Sequence, residues 1–394
     1  MIPLERLTAV REQFPITKRQ LYLDSAHQTP LSRPVRDALA SFLAEGYEMA
    51  GPKTVWLDRV EETRGAVAAF FNADPSEIAF TKNTSEGLNI AAHAVPLEAG
   101  DNVVLVEGDH PNNAYAWLNL KRQGVEIRFV PLADHDVATA ATFEPYIDGR
   151  TRVVTLSHVT FHAGQVHDLA GIGQLCRRRG IYFIVDAMQS VGVIPLDVKA
   201  LGISVLAAGT HKGLLVPQGL GVLYVARELH ELRPAYLAMS SMANPPEDYI
   251  ARPDDMAVRE DARRFEFGNV NLPDVHALAA AIRLIENIGV SAIQAHVTEL
   301  GDLLLAHLDR LGVDVVGPRE RGKRNHIYVL ELPVEPWMAF FARHDVRVSP
   351  ERGGIRVSLA MFNSVDDVER LANVLRTGIE ENLPGASLSL NHAR

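Results

Sequence analysis

The sequence predicts an α/β protein with a mostly parallel central sheet, followed by a smaller α+β unit. Two short apolar runs, IYFIVD ending at Asp186 and VLAAG ending at Gly209, have the β-branched and aromatic content of strands that are buried on both faces. Runs of this kind alternate with helical patterns up to about residue 290, as in βαβ units. From Ser291 the pattern changes to helix, strand, helix, strand, which predicts the second unit.

The composition favours a globular enzyme and argues against a nucleic-acid partner. The chain has 394 residues, 47% of them hydrophobic and 22% charged, and a net charge of −10, whereas a nucleic-acid backbone requires a basic patch. The start, MIPLERLTAVREQF, is charged where a signal peptide needs an apolar core. No apolar run reaches the roughly 18 residues of a membrane span. We therefore expect a cytoplasmic protein, and the single cysteine, Cys176, excludes an internal disulfide.

The first elements along the chain lead to a candidate phosphate site. Residues 1–14 are expected to form a short amphipathic helix with apolar residues at helical spacing, namely Leu4, Leu7, Val10 and Phe14. Further on, the strand IAFT precedes the helix TSEGLNIAAHAV, with Thr84 or Ser85 as the predicted N-cap. Free N–H groups at a helix amino terminus, together with two hydroxyls, form a ready phosphate site. A cap of this kind is usually only a cap, so both interpretations stay open at this point.

A second candidate site lies at the ends of the two central strands. Asp186 ends the first run, where open α/β sheets bind ligands, and Lys212 follows the second run. The interval of 26 residues (212 − 186) leaves room for a loop, a helix and a strand. A lysine so placed suits a Schiff base with an aldehyde cofactor, and the aspartate would keep a pyridine nitrogen protonated as an electron sink. Taken singly, such an aspartate is often a helix cap and such a lysine is more often structural.

The motifs VDAMQSVG and THKGLLVPQGLGVLYV carry a family resemblance. With them, the chain resembles the class V fold-type I pyridoxal-phosphate enzymes, which include cysteine desulfurases, selenocysteine lyases, kynureninases and isopenicillin N epimerase-like proteins. The resemblance implies pyridoxal 5'-phosphate as the cofactor and a homodimer. It also implies a large domain of residues 15–290 with a seven-stranded sheet, and a small domain of residues 1–14 and 291–394.

The resemblance also implies individual roles for residues in the site. The catalytic group comprises Lys212 as the Schiff-base lysine, Asp186 at the ring nitrogen, and His110 stacked on the pyridine face. Gln189 is expected to hydrogen-bond the phenolic oxygen. The other implied cofactor contacts are Thr84 and Ser85 at the phosphate, His158 near the phenolic oxygen, His211 beside the lysine, and Asn269 reaching the phosphate of the neighbouring subunit. No metal site is predicted, because the histidines near residue 160 lack a helical i, i+4 pair with an acid.

The carboxyl-terminal motif GGIRVSLAMFNSVDDVERL resembles the segment that binds the substrate carboxylate in this family. Arg356 is the implied ligand, because its planar guanidinium offers a bidentate fork. Desulfurases of the family carry a catalytic cysteine in the loop before this arginine, but here the loop reads VRVSPERGGIR. The sequence therefore predicts an amino-acid lyase acting by C–S or related β-elimination, and not a typical cysteine desulfurase.

Three alternatives remain open at this stage: an epimerase, an aminotransferase and a non-catalytic regulatory relative. The polar, proline-containing segment 235–264 is expected to form a long loop over the site.

Overall fold

The computed structural model describes residues 1–254 and 256–385, so the predicted loop 235–264 and the predicted small domain each include residues outside this part of the chain. The strands are β1 (Leu21–Tyr22), β2 (Ile78–Thr81), β3 (Asn102–Val106), β4 (Glu126–Val130), β5 (Thr151–Ser157), β6 (Tyr182–Asp186), β7 (Val205–Gly209), β8 (Gly221–Val225), β9 (Val315–Val316), β10 (Ile327–Leu330), β11 (Val346–Arg347), β12 (Ser349–Glu351) and β13 (Gly354–Ser358). The α-helices are α1 (Leu4–Glu12), α2 (Arg33–Met49), α3 (Lys53–Phe70), α4 (Thr84–Ala94), α5 (Pro111–Leu118), α6 (Ala140–Phe143), α7 (Leu169–Arg179), α8 (Leu272–Ile288), α9 (Val290–Leu311), α10 (Val334–Arg343) and α11 (Val365–Glu380).

The central sheet has seven strands in the order β2-β8-β7-β6-β5-β3-β4. Strands β7, β6, β5, β3 and β4 run parallel to one another, while β8 is antiparallel to both β7 and β2. Every residue of β3, β7 and β8 is buried, as expected for strands covered on both faces. The predicted α/β class is confirmed, and the carboxyl ends of β5, β6 and β7 meet at one edge of the sheet.

Two apolar layers enclose this sheet. Adjacent valines in a strand point to opposite faces, so Val103 joins the cluster that contains residues of α4 and α5. Its neighbour Val104 joins the larger cluster that contains residues of α3, α7 and α8. The buried sheet and its two helical layers hold the strand ends in fixed positions, which is what a site at the sheet edge requires.

The carboxyl-terminal unit contains a four-stranded sheet in the order β12-β13-β10-β9, paired antiparallel throughout. Its core includes Trp337, Phe340 and Phe341 of α10, together with apolar residues of α9 and α11. Strand β1 pairs in parallel with β11, and thereby ties the start of the chain to this unit. The predicted domain boundaries stay a prediction. Strand β1 of the predicted large domain pairs with β11 of the small one, and Leu7 and Val10 of the predicted small domain pack in the large cluster.

The structure differs from the sequence analysis at two places. The first helix spans Leu4–Glu12 and not residues 1–14, and Leu4 is 81% exposed. Pro15 explains the early end, because the residue before a proline is disfavoured in helical geometry. Between β6 and β7, residues 187–204 form turns without the expected α-helix, since Gly192 takes a positive φ of 76° and Pro195 interrupts the remainder.

Within the described residues, no single helix is long and apolar enough to cross a membrane; α8 and α9 pass that test only as a pair, and they meet at an angle of 69°.

Candidate active site

A cleft of about 530 Å³ opens where the carboxyl ends of β5, β6 and β7 meet the amino terminus of α4. The predicted site residues that line it are Thr84, Ser85, His110, Asp186, Gln189, His211 and Lys212. The fold thus brings together side chains from segments more than 100 residues apart. The lining does not include His158, Asn269 or Arg356.

Lys212 follows β7 on a tightly packed turn. The N–H of Thr29 donates to the carbonyl of His211 at 3.0 Å, and the hydroxyl of Thr210 donates to the carbonyl of Leu220 at 3.1 Å. At Gly213 a Cβ would lie 1.9 Å from the carbonyl oxygen of Val191, so only glycine fits there. Burial lowers the pKa of the lysine to about 8, and the charge of Arg356 acts in the same direction. About a tenth of Lys212 is therefore a neutral amine at pH 7, far more than for an ordinary lysine, and this form can act as a nucleophile.

Asp186 ends β6 with its carboxyl group buried. Its Oδ1 accepts a hydrogen bond from the N–H of Met188 at 2.8 Å. Burial raises the pKa of this group to about 7, and the nearby charge of Asp109 contributes to the rise. A carboxyl group in this state is poised to ionise when a cation is placed beside it.

Gln189 and His158 flank this aspartate. The amide nitrogen of Gln189 donates to the carbonyl of Ala26 at 3.1 Å, while its Oε1 is buried without a hydrogen-bond partner. The backbone N–H of His158 donates to the carbonyl of Asp186 at 2.9 Å, and burial lowers the pKa of the ring to about 4. His158 thus contacts the backbone of Asp186 from outside the cleft lining, and its expected contact with a phenolic oxygen stays a prediction.

The amino terminus of α4 differs from the expected cap. Asn83 is the N-cap, and its side-chain oxygen accepts from the N–H of Glu86 at 2.9 Å. Thr84 and Ser85, predicted as caps, are instead the first two helical residues, whose N–H groups have no intrahelical partner. Gly209 allows this turn to approach β7, since a Cβ there would lie 2.9 Å from Sδ of Met188 and 3.2 Å from the Thr84 hydroxyl. The corrected register leaves free N–H groups at the cleft, as an anion requires, while the hydroxyl of Thr84 donates to Sδ of Met188 at 3.0 Å.

His110 is held at the start of α5. Its Nδ1 accepts from the N–H of Asn112 at 3.1 Å, so the proton of the neutral ring lies on Nε2. The ring meets Phe161 edge-on, with centroids 4.9 Å apart. Burial and the charge of Lys212 lower the pKa of the ring. His110 therefore presents a neutral imidazole at neutral pH.

Arg356 lies on β13, where it is 6% exposed. Its Nη1 donates to Oε2 of Glu351 at 3.0 Å and to the carbonyl of Phe161 at 3.3 Å. Its Nε is buried without a partner. The charge of Arg356 lowers the pKa of Lys212, so the two cations lie within electrostatic reach of each other.

Two features that were expected at the site lie away from this cleft in the structure. Asn269 is exposed in the turn after Phe267, and its contact with a phosphate stays a prediction that depends on a second protomer. The described part of segment 235–264 does not line the cleft, so the expected cover over the site does not form within one chain. This segment instead surrounds a separate apolar groove that includes Met239, Met242 and Tyr249.

Sequence reasoning missed several groups that shape the site. Asp109 accepts from both the N–H and the hydroxyl of Ser157, at 2.9 and 2.6 Å, and so fixes the end of β5 beside the start of α5. His326 is buried near Lys212 and Arg356, and burial lowers its pKa to about 3. Glu351 was missed because its contact with Arg356 depends on a hairpin. Of these residues, only Asp109 could have been noticed in the sequence, because it comes just before a helix that begins with a proline, where acids are common.

Comparison with known proteins agrees with this geometry. The model of the aminotransferase class-V family matches residues 21–371. The chain belongs to this family. An uncharacterized aminotransferase of Schizosaccharomyces pombe is 35% identical over 389 residues, covering 97% of this chain and 98% of the relative. A probable cysteine desulfurase of Methanothermobacter thermautotrophicus is 33% identical over 319 residues, covering 79% of this chain and 78% of the relative.

Solved structures show the same fold. The apo structure of a cysteine desulfurase from Thermococcus onnurineus has a TM-score of 0.87 and 28% identity, covering 98% of this chain and 99% of that one. A cystine C–S lyase, solved in complex with its product cysteine persulfide, has a TM-score of 0.83 and 24% identity over 92% of this chain and 99% of its own. The second likeness is one of fold alone.

The cofactor of this family is pyridoxal 5'-phosphate, and the cleft fits it. The cofactor's phosphate suits the free N–H groups at the start of α4. Burial raises the pKa of Asp186 to about 7, and a protonated ring nitrogen beside this carboxyl group would favour its ionised form and pair with it. The buried Oε1 of Gln189 has no hydrogen-bond partner and could accept a hydrogen bond from the cofactor, and Lys212 provides a nucleophilic amine. The chain is thus a pyridoxal-phosphate-dependent enzyme of the aminotransferase class-V family.

Proposed function

We propose that this enzyme is a lyase that eliminates the β-substituent of an α-amino acid without forming an enzyme persulfide. The observation that carries the proposal is the composition of the cleft. Its lining includes the buried amine of Lys212, and Arg356 lies outside that lining but within electrostatic reach of the amine, while the loop before this arginine holds Glu351 and no thiol. The elimination needs proton transfer and carboxylate binding, whereas persulfide formation needs a thiol nucleophile.

Each residue of the site has a separate role in the proposed reaction. Lys212 would hold the cofactor's aldehyde group through Nζ, and the same Nζ, when free, would take the proton from Cα of the substrate. When bound, the cofactor supplies an electron sink for the pair left at Cα. Asp186 pairs with the protonated ring nitrogen, and His110 packs its neutral ring against the cofactor. Arg356 binds the α-carboxylate, and this contact fixes which bond at Cα faces Lys212.

A persulfide-forming mechanism disagrees with the location of the only cysteine. Cys176 is 1% exposed within α7, on the side of the sheet that packs in the large apolar cluster. Burial raises the pKa of its thiol to about 12, so the thiolate needed as nucleophile is scarce. The relatives named as cysteine desulfurases therefore share family and fold with this chain, and we propose that the reaction differs.

Product analysis tests the proposal. With L-cystine, L-cysteine or β-chloroalanine, the cofactor-loaded enzyme is expected to release pyruvate and ammonia in equal amounts. The group lost from Cβ leaves with a proton, and one water replaces the amine. Alanine together with protein-bound sulfur would contradict the proposal and favour a desulfurase. Racemised substrate would favour an epimerase. A keto acid formed while the amine stays on the enzyme would favour an aminotransferase. The absence of any turnover would favour a non-catalytic relative.

A matched variant separates the two sulfur chemistries. Cys176→Ser is expected to leave pyruvate formation unchanged, because a buried cysteine of this kind acts as a small apolar side chain. Loss of turnover in a folded Cys176→Ser protein would show that the thiol takes part in the reaction.

We further propose a homodimer in which Asn269 of one protomer reaches the phosphate site of the other. Its turn projects from the chain, and Phe267 is 63% exposed beside Tyr236, which is 58% exposed. Exposed apolar side chains also lie on α2, where Leu43 is 66% and Tyr47 is 91% exposed. Apolar surface of this extent favours burial against a second copy. The cytoplasmic location stays a prediction.

A further inference from the structure

Glu351 lies on β12, directly before the strand that carries Arg356. The strands β12 and β13 are joined by Arg352 and Gly353 alone, because Glu351 pairs with Gly354. Gly353 permits this tight connection with a positive φ of 86°, and Gly354 lets β13 lie close to β10, since a Cβ there would lie 1.8 Å from the carbonyl oxygen of Leu330. The hairpin tip is anchored by an ion pair of 2.9 Å between Arg352 and Asp134. Glu351 is thus held in one place relative to Arg356.

Both oxygens of the Glu351 carboxylate are engaged. Oε2 accepts from Nη1 of Arg356 at 3.0 Å, and Oε1 accepts from the N–H of Arg352 at 2.9 Å. The side chains of Glu351 and Arg356 are only 14% and 7% exposed, so solvent screens this pair weakly. The carboxylate therefore fixes the plane of the guanidinium and places a negative charge at its Nη1 corner.

The Nε–Nη2 edge of the same guanidinium makes no hydrogen bond among the described residues. Nε of Arg356 is buried without a hydrogen-bond partner, and among the described residues Nη2 makes no hydrogen bond. A buried donor without a partner is costly unless a ligand satisfies it. The Nε–Nη2 edge has the spacing of donors that a carboxylate accepts in bidentate geometry.

We propose that Glu351 determines substrate specificity by charge: it presents the Nε–Nη2 edge of Arg356 to one carboxylate and repels a second anionic group on the substrate. The inference rests on the proposed function, and it narrows the substrate class to α-amino acids with a neutral or cationic side chain. With Glu351 in place, the α-carboxylate already brings the surroundings of Arg356 to a net negative charge. A further anion near Cβ adds repulsion in a site with little solvent.

The electrostatic reach of Glu351 supports this assignment. Its charge acts to raise the pKa of Lys212, His110 and His162, so its field extends across the cleft. Asp24 also acts on Lys212 and Arg356 with the same sign. Glu351 differs from Asp24 in direct contact, since it alone of the two hydrogen-bonds the guanidinium.

Calorimetric binding of unreactive amino acids to the cofactor-loaded enzyme tests the proposal. Both α-methylserine and α-methylaspartate lack the Cα proton, so they bind without turnover, and they differ in a hydroxyl against a carboxylate. The parent is expected to prefer α-methylserine by about tenfold or more, where tenfold corresponds to about 1.4 kcal/mol. Glu351→Gln keeps the shape and removes the charge, and is expected to reduce that preference by about tenfold. Glu335→Gln, on the exposed face of α10, is the matched control and is expected to behave as the parent.

A second variant separates charge from shape. Glu351→Asp keeps the negative charge near Arg356, so it is expected to retain the preference for α-methylserine even if both ligands bind more weakly. Unchanged discrimination in Glu351→Gln, or equal loss in the Asp and Gln variants, would overturn the role of charge while leaving the lyase proposal standing. If the parent binds neither ligand, both this inference and the proposed α-amino-acid substrate fail.

Discussion

Asp186→Asn is expected to stabilise the cofactor-free protein while it slows the enzyme. Without the cofactor, burial raises the pKa of Asp186 from 3.8 to about 7, so above neutral pH the folded state holds a buried negative charge. Asparagine removes that charge and still accepts the N–H of Met188 through its side-chain oxygen. With the cofactor bound, the same charge pairs with the ring nitrogen, and its loss becomes harmful.

The magnitude follows from the difference between the folded and unfolded pKa values. From about pH 4 to pH 7 the folded state holds a proton on Asp186 that the unfolded state has released, so stability falls as pH rises through this window. The difference corresponds to at most roughly 4 kcal/mol, reached above pH 7. Asp186→Asn should recover part of this free energy at pH 8 and none below about pH 4. In the loaded enzyme, losing a charge-assisted hydrogen bond of about 1.5–3 kcal/mol slows turnover by about ten- to a hundredfold.

Thermal unfolding of the cofactor-free protein at pH 8 and pH 5, combined with steady-state kinetics of the loaded enzyme, measures both effects. The variant should unfold at a higher temperature than the parent at pH 8, with a smaller difference at pH 5. Asp58→Asn, at an exposed position on α3, is the control and should show no such pH trend. An unfolding temperature at pH 8 equal to or below that of the parent, or unchanged turnover, would refute the reasoning.

Two further predictions concern the substrate and the assembly. Arg356→Lys keeps the positive charge and loses the paired donors of the guanidinium, so KM should rise and kcat should fall while the cofactor absorbance is unchanged. Arg178→Lys, on the exposed end of α7, is the control. Kinetics like those of the parent in Arg356→Lys would contradict the carboxylate contact. Light scattering at micromolar concentration should report a dimer, and Asn269→Ala should weaken cofactor binding without changing the mass. An active monomer that retains its cofactor would contradict the shared site.

The sequence predicted the elements whose signal is local. IAFT and VLAAG form β2 and β7 with the expected bounds, and GVLYV forms β8, because short β-branched runs buried on both faces have few other stable conformations. The N-cap of α4 was misplaced by one or two residues, since Asn83, Thr84 and Ser85 are all good caps and only the folded turn selects among them. The absent helix between β6 and β7 shows that sufficient length does not make a helix where glycine and proline interrupt it.

The site was predictable to the extent that the family motifs carry it. Lys212, Asp186 and Gln189 lie together at the strand ends, as their motifs imply. Glu351 could not be found in this way, because its role arises from a two-residue hairpin that aligns it with Arg356. Asp109 holds Ser157 across 48 residues of sequence, a contact that no local pattern records. The contacts of Asn269 depend on a second protomer and lie beyond any single chain.

The most direct test of the account is the identity of the lysine that holds the cofactor. Borohydride reduction of the loaded enzyme fixes the Schiff base as a stable secondary amine, and peptide mapping then locates the modified residue. The account predicts that the label lies on Lys212, whose buried amine has a pKa of about 8. A label on Lys82, which also lines the cleft, or on any other lysine would contradict the assignment and the proton transfer built on it.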